Sequence, residues 1–272
     1  MLVCCVGEVM LDVIVETDRG LAADDDVPAS ISLRAGGQGA NVAAWVTALG
    51  GRARLVGPGS ADGQGRLLAD ALAAAGVDPQ LVPAGRAGTV VSLVSDGRRT
   101  LASDPGSTDW LGRLAPGPWL DGAAWLYVSG YALLRASDPD RLVALARAAA
   151  AQAVRVAVDL SSAAMIEEYG AEAFRTLWRR LQPEVVFAGD AEWSACGAPG
   201  VPTLVRKHGP AGATFVEHGQ ADRRTPEPGP VRDATGAGDA LAAGFLLGGP
   251  DLAMRAAARC VATVGAQPGG LR

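Results

Sequence analysis

The chain has 272 residues, 49% hydrophobic and 19% charged, with a formal net charge of −5 and a pI of about 5.1. That composition excludes a disordered chain and is enough for one large domain with a substantial buried core. It leaves no broad basic surface for a phosphate backbone, so no nucleic-acid partner is expected, although local backbone amides can still hold a small phosphorylated ligand.

The basic residues are almost all arginine, and Lys207 is the one lysine. A Walker-type P-loop needs Gly-Lys followed by Ser or Thr. Lys207 lies between Arg206 and His208, so that motif is absent. Cys4, Cys5, Cys196 and Cys260 form no C-x-x-C pair and read as reduced thiols in or near the core. The opening MLVCCVGEVMLDV has neither a basic leader nor a small-residue cleavage site. No apolar run reaches the roughly 18 residues that span a bilayer. A soluble, cytoplasmic protein without a membrane partner is the expectation.

In chain order, LVCCVG reads as a buried strand and MLDVIVE as another or its extension. TDRGLAADDDVPAS is polar and acidic, hence a loop. A helix runs from Gly39 to Leu49 and is ended by Gly50-Gly51. RARLVG is a strand; Asp62 then caps a helix that Gly76 stops. TVVSLVSDGRRTLAS reads as two strands joined at Asp96-Gly97, a hairpin signal. Next come a strand at AAWLYVSG, a helix at DPDRLVALARAAAAQ, a strand at VRVAVDL and a helix at EAFRTLWRRL. EVVFAG is a strand, followed by a short helix from Asp190, a strand at PTLVRKHG and a hairpin-like pair at GATFVEHGQADRR. Two helices, GAGDALAAGFLLG and DLAMRAAARCVATVG, close the chain.

This alternation of strand and helix predicts a doubly wound, mostly parallel α/β sheet with helices on both faces. Residues 11–35 and 88–104 carry strands without intervening helices. They are expected to pair into a small second sheet within a single domain. Ligands bind beyond the carboxyl ends of strands in such open sheets, so a small sheet over that edge would act as a lid.

Two glycine clusters bear on chemistry. In DATGAGD, residues 233–239, Gly236 and Gly238 let the backbone turn sharply and approach a ligand closely. The first N–H groups of a helix starting there lack internal partners, and the helix dipole adds partial positive charge. Together they make an anion hole, with the Asp239 carboxylate beside it to accept a proton from a hydroxyl. An ordinary helix start gives the same pattern. In RAGGQGANVAAW, residues 34–45, Gly37 and Gly39 fit the start of G-x-G-x-x-G, but Val42 stands at the third place. Gln38 and Asn41 there suit a polyhydroxylated ligand.

The combination of Gly7-Glu8, Asp12, GGQGAN and a late DATGAGD resembles the ribokinase family of carbohydrate and nucleoside kinases, the phosphofructokinase-B type. The resemblance extends from Val6 to about Pro268. It implies a ribokinase-like fold with a β-sheet lid that also mediates a homodimer, and ATP with Mg2+ as cofactors. Asp239 matches the catalytic base, and Gly236, Ala237 and Gly238 match the anion hole. Asp12, Gly37 and Asn41 match sugar-holding positions. Lys207, His208, Gly209 and Gly212 fall on the nucleotide-binding strand and loop. Asp233 and Thr235 lie by a monovalent-cation loop, with K+ its expected occupant, and its other side at Gly265–Pro268.

The chain departs from the family at Asn-x-x-Glu. FAGDAEW puts Gly189 where Asn is expected and keeps Glu192, so Glu192 and Asp190 are the Mg2+ candidates, through water. Ala234 replaces a frequent Thr. Ser129 and Asp159 end strands and are candidate ligand contacts. Arg98 and Arg99 would reach from the lid, and Trp45, Trp110, Trp125 or Trp193 would stack on a base. His208 and His218 have no partner at metal-ligand spacing. A ribose-like or pseudouridine-like acceptor is expected; with no basic cluster, a phosphosugar ranks lower. A non-catalytic sugar or nucleoside sensor is the alternative, ahead of an NAD-dependent oxidoreductase, whose G-x-G-x-x-G does not follow the first strand.

Overall fold

The computed structural model describes residues 1–95 and 98–268, with Arg98 and Arg99 described in backbone only. The Asp96-Gly97 turn lies outside the described residues, as do the side chains of both arginines. The chain starts with β1 (Leu2–Val6), β2 (Met10–Thr17) and β3 (Ser30–Gly36), then α1 (Gln38–Ala48), β4 (Arg52–Gly59), α2 (Gly63–Ala74) and β5 (Asp78–Pro83). A hairpin of β6 (Gly88–Ser95) and β7 (Arg98–Asp104) leads to β8 (Trp125–Ser129), α3 (Gly130–Arg135), α4 (Asp140–Ala151) and β9 (Arg155–Asp159). Then follow α5 (Ala163–Tyr169), α6 (Ala171–Arg179), β10 (Val185–Gly189), α7 (Asp190–Cys196) and β11 (Thr203–Lys207). The strands β12 (Ala213–Glu217) and β13 (Gln220–Arg224) precede α8 (Ala237–Val261).

Among the described residues the large sheet has the order β13-β12-β11-β10-β9-β8-β1-β4-β5. Its pairs are parallel from β5 to β11, and β12 and β13 add an antiparallel edge. The chain winds one way from β1 through β4 to β5 and the other way from β8 to β11. The switch point therefore falls between β1 and β8, where such sheets open a crevice at their carboxyl ends. All five residues of β1 are buried. Val3 and Cys5 pack with α1 and α8 on one face, and Cys4 and Val6 with α4 and α6 on the other. A strand buried on both faces reads as a continuous apolar run, as LVCCV does.

The two segments without helices form a separate sheet, β3-β2-β6-β7, in which β2 and β6 run parallel. It leaves β1 through Gly7-Glu8-Val9, so it stands over the carboxyl edge of the large sheet. Gln64, in the first turn of α2, fastens it by donating to the carbonyl of Gly88 and the hydroxyl of Thr89 at 3.0 and 2.9 Å. Asp62 caps α2 as the sequence suggests, accepting from the Gly65 amide at 2.8 Å.

The two closing helices are distinct segments of this span, folded against each other at a break: a Cβ on Gly244 would lie 2.6 Å from the Leu252 carbonyl oxygen. Gly248 and Gly249 leave helical geometry, Gly249 with φ 71°, and Pro250 begins the second segment. The first segment is pinned at Phe245, whose ring stacks on Phe215 at 5.6 Å and meets Phe187 edge-on at 5.9 Å. Such pairs contribute about 0.5–1.5 kcal/mol beyond their area and fix where the helix begins. Trp45, Trp110 and Trp125 do not await a base: all three are buried core residues. Arg206 covers the Trp193 ring at 5.0 Å. No helix among the described residues is long and apolar enough to cross a membrane.

Candidate active site

The carboxyl ends of β1, β8, β9, β10 and β11 present Glu8, Ser129, Asp159, Gly189 and Lys207 along one edge. Helix α1 enters this edge from the small sheet. Gly37, its N-cap, has φ 92°, and a Cβ there would lie 2.5 Å from the Glu8 carbonyl oxygen. The preceding Gly36 leaves the space in which the Asp12 carboxylate stands, 2.2 Å from where its Cβ would be. The glycines of this cluster thus bring Asp12, Gln38 and Asn41 to one place.

Gln38 ties the crevice together. Its amide oxygen accepts from the hydroxyls of Ser129 and Ser161, both at 2.6 Å. Its side chain also bonds to Asp239. Ser129 Oγ also lies 2.8 Å from a Glu8 oxygen, so its one hydroxyl proton is shared between Gln38 and Glu8. Glu8 is buried, and desolvation pushes its carboxyl above the usual range, against its own backbone hydrogen bond and the charge of Arg135.

Helix α8 meets α1 at the same spot. Asn41 donates to Asp239 at 2.9 Å across 198 residues of sequence. Asp239 remains partly open to solvent while its carboxyl is ringed by protein. Desolvation pushes its pKa from 3.8 up to about 7, aided by the charge of Asp159 and opposed by Asn41, Lys207 and Gln38. A carboxylate poised there can take a proton from a hydroxyl near neutral pH. Gly236, the α8 N-cap, has φ 74° and packs on Ala266. The Ala237 amide makes a long 3.3 Å bond to the Ala234 carbonyl, while the amides of Gly238 and Asp239 have no backbone acceptor among the described residues. Open donors at a helix mouth attract an anion.

The strand-end positions divide. Lys207 reaches into the site and donates to Asp159. His208 turns away, its ring contacting Asp190 at 2.8 Å and Thr214 at 2.8 Å. Gly209 and Gly212, with φ 56° and 93°, form the turn closed by the His208 amide on the Gly212 carbonyl. Asp190 also accepts from Arg206 at 2.8 Å, so its carboxylate is held against β11 by two basic side chains. Its hydrogen bond with His208 is the main cause holding it below the usual range.

Gly189 has a steric reason. A Cβ at that position would lie 2.2 Å from Glu192 Oε2. The Glu192 carboxylate has folded back over the strand end into the space that an asparagine side chain at 189 would fill. Among the described residues no group of three or more His, Cys, Asp or Glu side chains gathers as a metal cage. The lone Glu192 suits a Mg2+ carried in on phosphates and water, since that ion keeps several waters and takes one or two carboxylates.

The loop before α8 does not fit a monovalent cation in the same way. Asp233 accepts from the Thr235 amide and hydroxyl with one oxygen and from the Gly265 amide with the other, the amides at 2.9 Å. The Thr235 carbonyl takes the Cys260 thiol at 3.2 Å, and the Ala266 carbonyl takes the Trp45 indole N–H at 2.8 Å. Each of these oxygens already has a protein donor.

Glu8, Ser161 and the Arg135–Tyr131 stack, 5.0 Å apart, were not singled out from sequence as site residues. The signal available for Ser161 was the strand end: Asp159 accepts its amide at 3.0 Å and holds it at φ 70°.

The pfkB family carbohydrate kinase model matches residues 1–267. The chain belongs to the pfkB family of carbohydrate kinases. Its fold is that of the ribokinase-like kinases. An adenosine kinase from Sinorhizobium meliloti is 24% identical, with a TM-score of 0.81 over 98% of this chain and 95% of that one. A putative ribokinase II from E. coli in its apo form is 19% identical, TM-score 0.82, over 99% and 96%. An uncharacterized sugar kinase from Pyrococcus horikoshii in complex with ATP is 19% identical, TM-score 0.81, over 98% and 94%. No curated protein matches the chain significantly.

Proposed function

We propose that this pfkB-family protein is an ATP-dependent kinase that phosphorylates a hydroxyl of a small neutral sugar or nucleoside, ribose-like or pseudouridine-like. The observation that carries this reading is the meeting of Asp239, held by Asn41, with the open amides of the α8 mouth. The acceptor oxygen attacks the terminal phosphorus, the bond from that phosphorus to the ADP oxygen breaks, and Asp239 takes the hydroxyl proton and later releases it to solvent. Transfer of this kind asks mainly for positioning and charge stabilisation. Bound Mg2+ would supply charge neutralisation between the terminal phosphates, with Glu192 the residue to reach it through water. Gln38, Asn41, Ser129 and Asp12 orient the acceptor. The carboxyl groups of Glu8, Asp12 and Asp239 around that pocket favour a neutral polyol over a phosphosugar.

The small sheet serves as the lid that excludes water, and its outer face as a dimer surface. Ile31, Leu33 and Val91 are exposed on strands of that sheet, Ile31 to 65%. Sedimentation at micromolar concentration tests the homodimer, with Leu33→Arg expected to yield monomers. ADP release with Mg2+-ATP across a panel of sugars and nucleosides tests the main reading. Turnover of at least one neutral acceptor is expected. Tight acceptor binding without turnover on any would instead support the sensor that the missing asparagine at 189 leaves open.

A further inference from the structure

Lys207 ends β11 and gives its ammonium to both oxygens of Asp159, at 3.0 and 2.7 Å. Asp159 is fully buried, and the lysine side chain is 19% exposed. An ammonium carries three N–H donors. Two are used on Asp159, and the third has no acceptor among the described residues. The pair adjoins the α8 mouth: a Cβ built on Gly238 would lie 3.5 Å from Lys207 Nζ. Glu192 and Asp239 also act on the same ammonium through their charges. One cation therefore sits among three carboxylates and beside Gly238 at the helix mouth, in a chain that has no other lysine.

A buried ion pair kept for stability gains little, because desolvation offsets the attraction. It also would not need a spare donor beside an open helix mouth. The placement makes sense when a fourth negative charge arrives. Amide dipoles alone neutralise part of a terminal phosphate; a full positive charge beside them strengthens the hold, since charge-assisted hydrogen bonds are the strong ones.

We propose that Lys207 is the side chain that binds the terminal phosphate of ATP at the mouth of α8, and that Asp159 is the positioning residue that keeps its ammonium there. This rests on the kinase reading and adds to it a residue that distinguishes ATP from ADP. Asp159 never touches the nucleotide. It acts through Lys207, and its bond to the Ser161 amide fixes its own orientation.

The test is calorimetric titration of a non-hydrolysable ATP analogue and of ADP, with Mg2+, into the wild-type protein, Lys207→Met, Asp159→Asn and the double variant. Lys207→Met is expected to lose about 10–100-fold in affinity for the analogue, the scale of one hydrogen bond to a charged group. Its affinity for ADP should stay within about 2-fold, since ADP lacks the phosphate concerned. Asp159→Asn should lower the ratio of analogue to ADP affinity less than Lys207→Met does. The double variant, which removes both charges and so avoids an orphaned carboxylate, should match Lys207→Met in that ratio. An unchanged ratio in Lys207→Met or in the double variant overturns the proposal, as does an equal loss for both nucleotides. A wild-type protein that turns over no acceptor yet shows the expected ratios would sink the kinase reading and leave the role of Lys207 standing.

Discussion

Two glycine-rich helix mouths meet in this molecule, and they use glycine for opposite ends. At the α1 mouth the space a side chain would need is filled by backbone. A Cβ on Gly39 would sit 2.7 Å from the Gly7 Cα, and one on Gly37 would meet the Glu8 carbonyl. The helix is thereby drawn close to β1, and its polar side chains, Gln38 and Asn41, do the contacting. At the α8 mouth the nearest atoms to a Cβ on Gly238 belong to the flexible Lys207 side chain, at 3.4 Å and beyond. There the space at Gly238 stays open for a ligand, while its neighbour Gly236, 2.5 Å from the Ala266 carbonyl oxygen where a Cβ would stand, is packed like the α1 glycines. A glycine next to backbone reports packing, whereas one next to open space and unpaired amides reports binding.

The sharpest way to break this contrast is at Asp239. Asp239→Asn should keep the fold and the Asn41 contact but lower kcat by about 10²–10⁴-fold, the scale of general-base catalysis. Turnover at the wild-type rate would remove the base from the α8 mouth. Next come paired glycine substitutions. Gly39→Ala should cost about 1–3 kcal/mol in denaturant unfolding, because backbone cannot move aside as a side-chain tip can. Gly238→Ala should change stability by less than about 0.5 kcal/mol, as an uncrowded substitution does, yet raise KM for ATP. Equal stability losses at the two sites would erase the distinction.

The pH response is a smaller effect that sharpens it. As the proposed base Asp239 would act only when ionised, so kcat/KM should climb as pH rises through about 7 and then level off. Stability moves the other way. Between the ordinary value of 3.8 and about 7 the folded protein keeps a proton that the unfolded chain has released. Folding then takes up a proton, and stability falls as pH rises through that window. Asp239→Asn should therefore melt higher than wild type at pH 8 and level with it below pH 3.8; a lower Tm at pH 8 contradicts the buried charge. The smallest expected effect is none: replacing K+ by choline should leave kcat unchanged, since Asp233, Thr235 and Ala266 already have protein donors. A large activation by K+ would show that the loop reopens.

Much of this was legible in the sequence because local chemistry dictates it. DATGAGD announced a helix mouth, and the lack of helices around residues 11–35 and 88–104 announced the second sheet. β5 escaped notice because Pro79 and Pro83 lie in it; they are tolerated since β5 pairs with β4 alone, at the sheet edge. α3 and α5, of six and seven residues, closely follow strand ends and carry too few turns for periodicity; α7, as short, was legible from the acidic residues that open it, Asp190 and Glu192. The site was legible by residue type and not by contact. Nothing in the spacing says that Asn41 reaches Asp239, that Glu192 fills the place of a side chain at 189, or that Asp190 is taken by His208 and Arg206. Those are tertiary facts, set by how strands order themselves in the sheet.

The position of Lys207 has a practical corollary. Apart from the α-amine, an amine-directed reagent has a single primary amine to find, and the fold has put it where ATP is expected. Held protonated against the buried Asp159 and largely covered, that amine is a slow target beside the α-amine, so its rate of modification gauges how firmly the pair is closed.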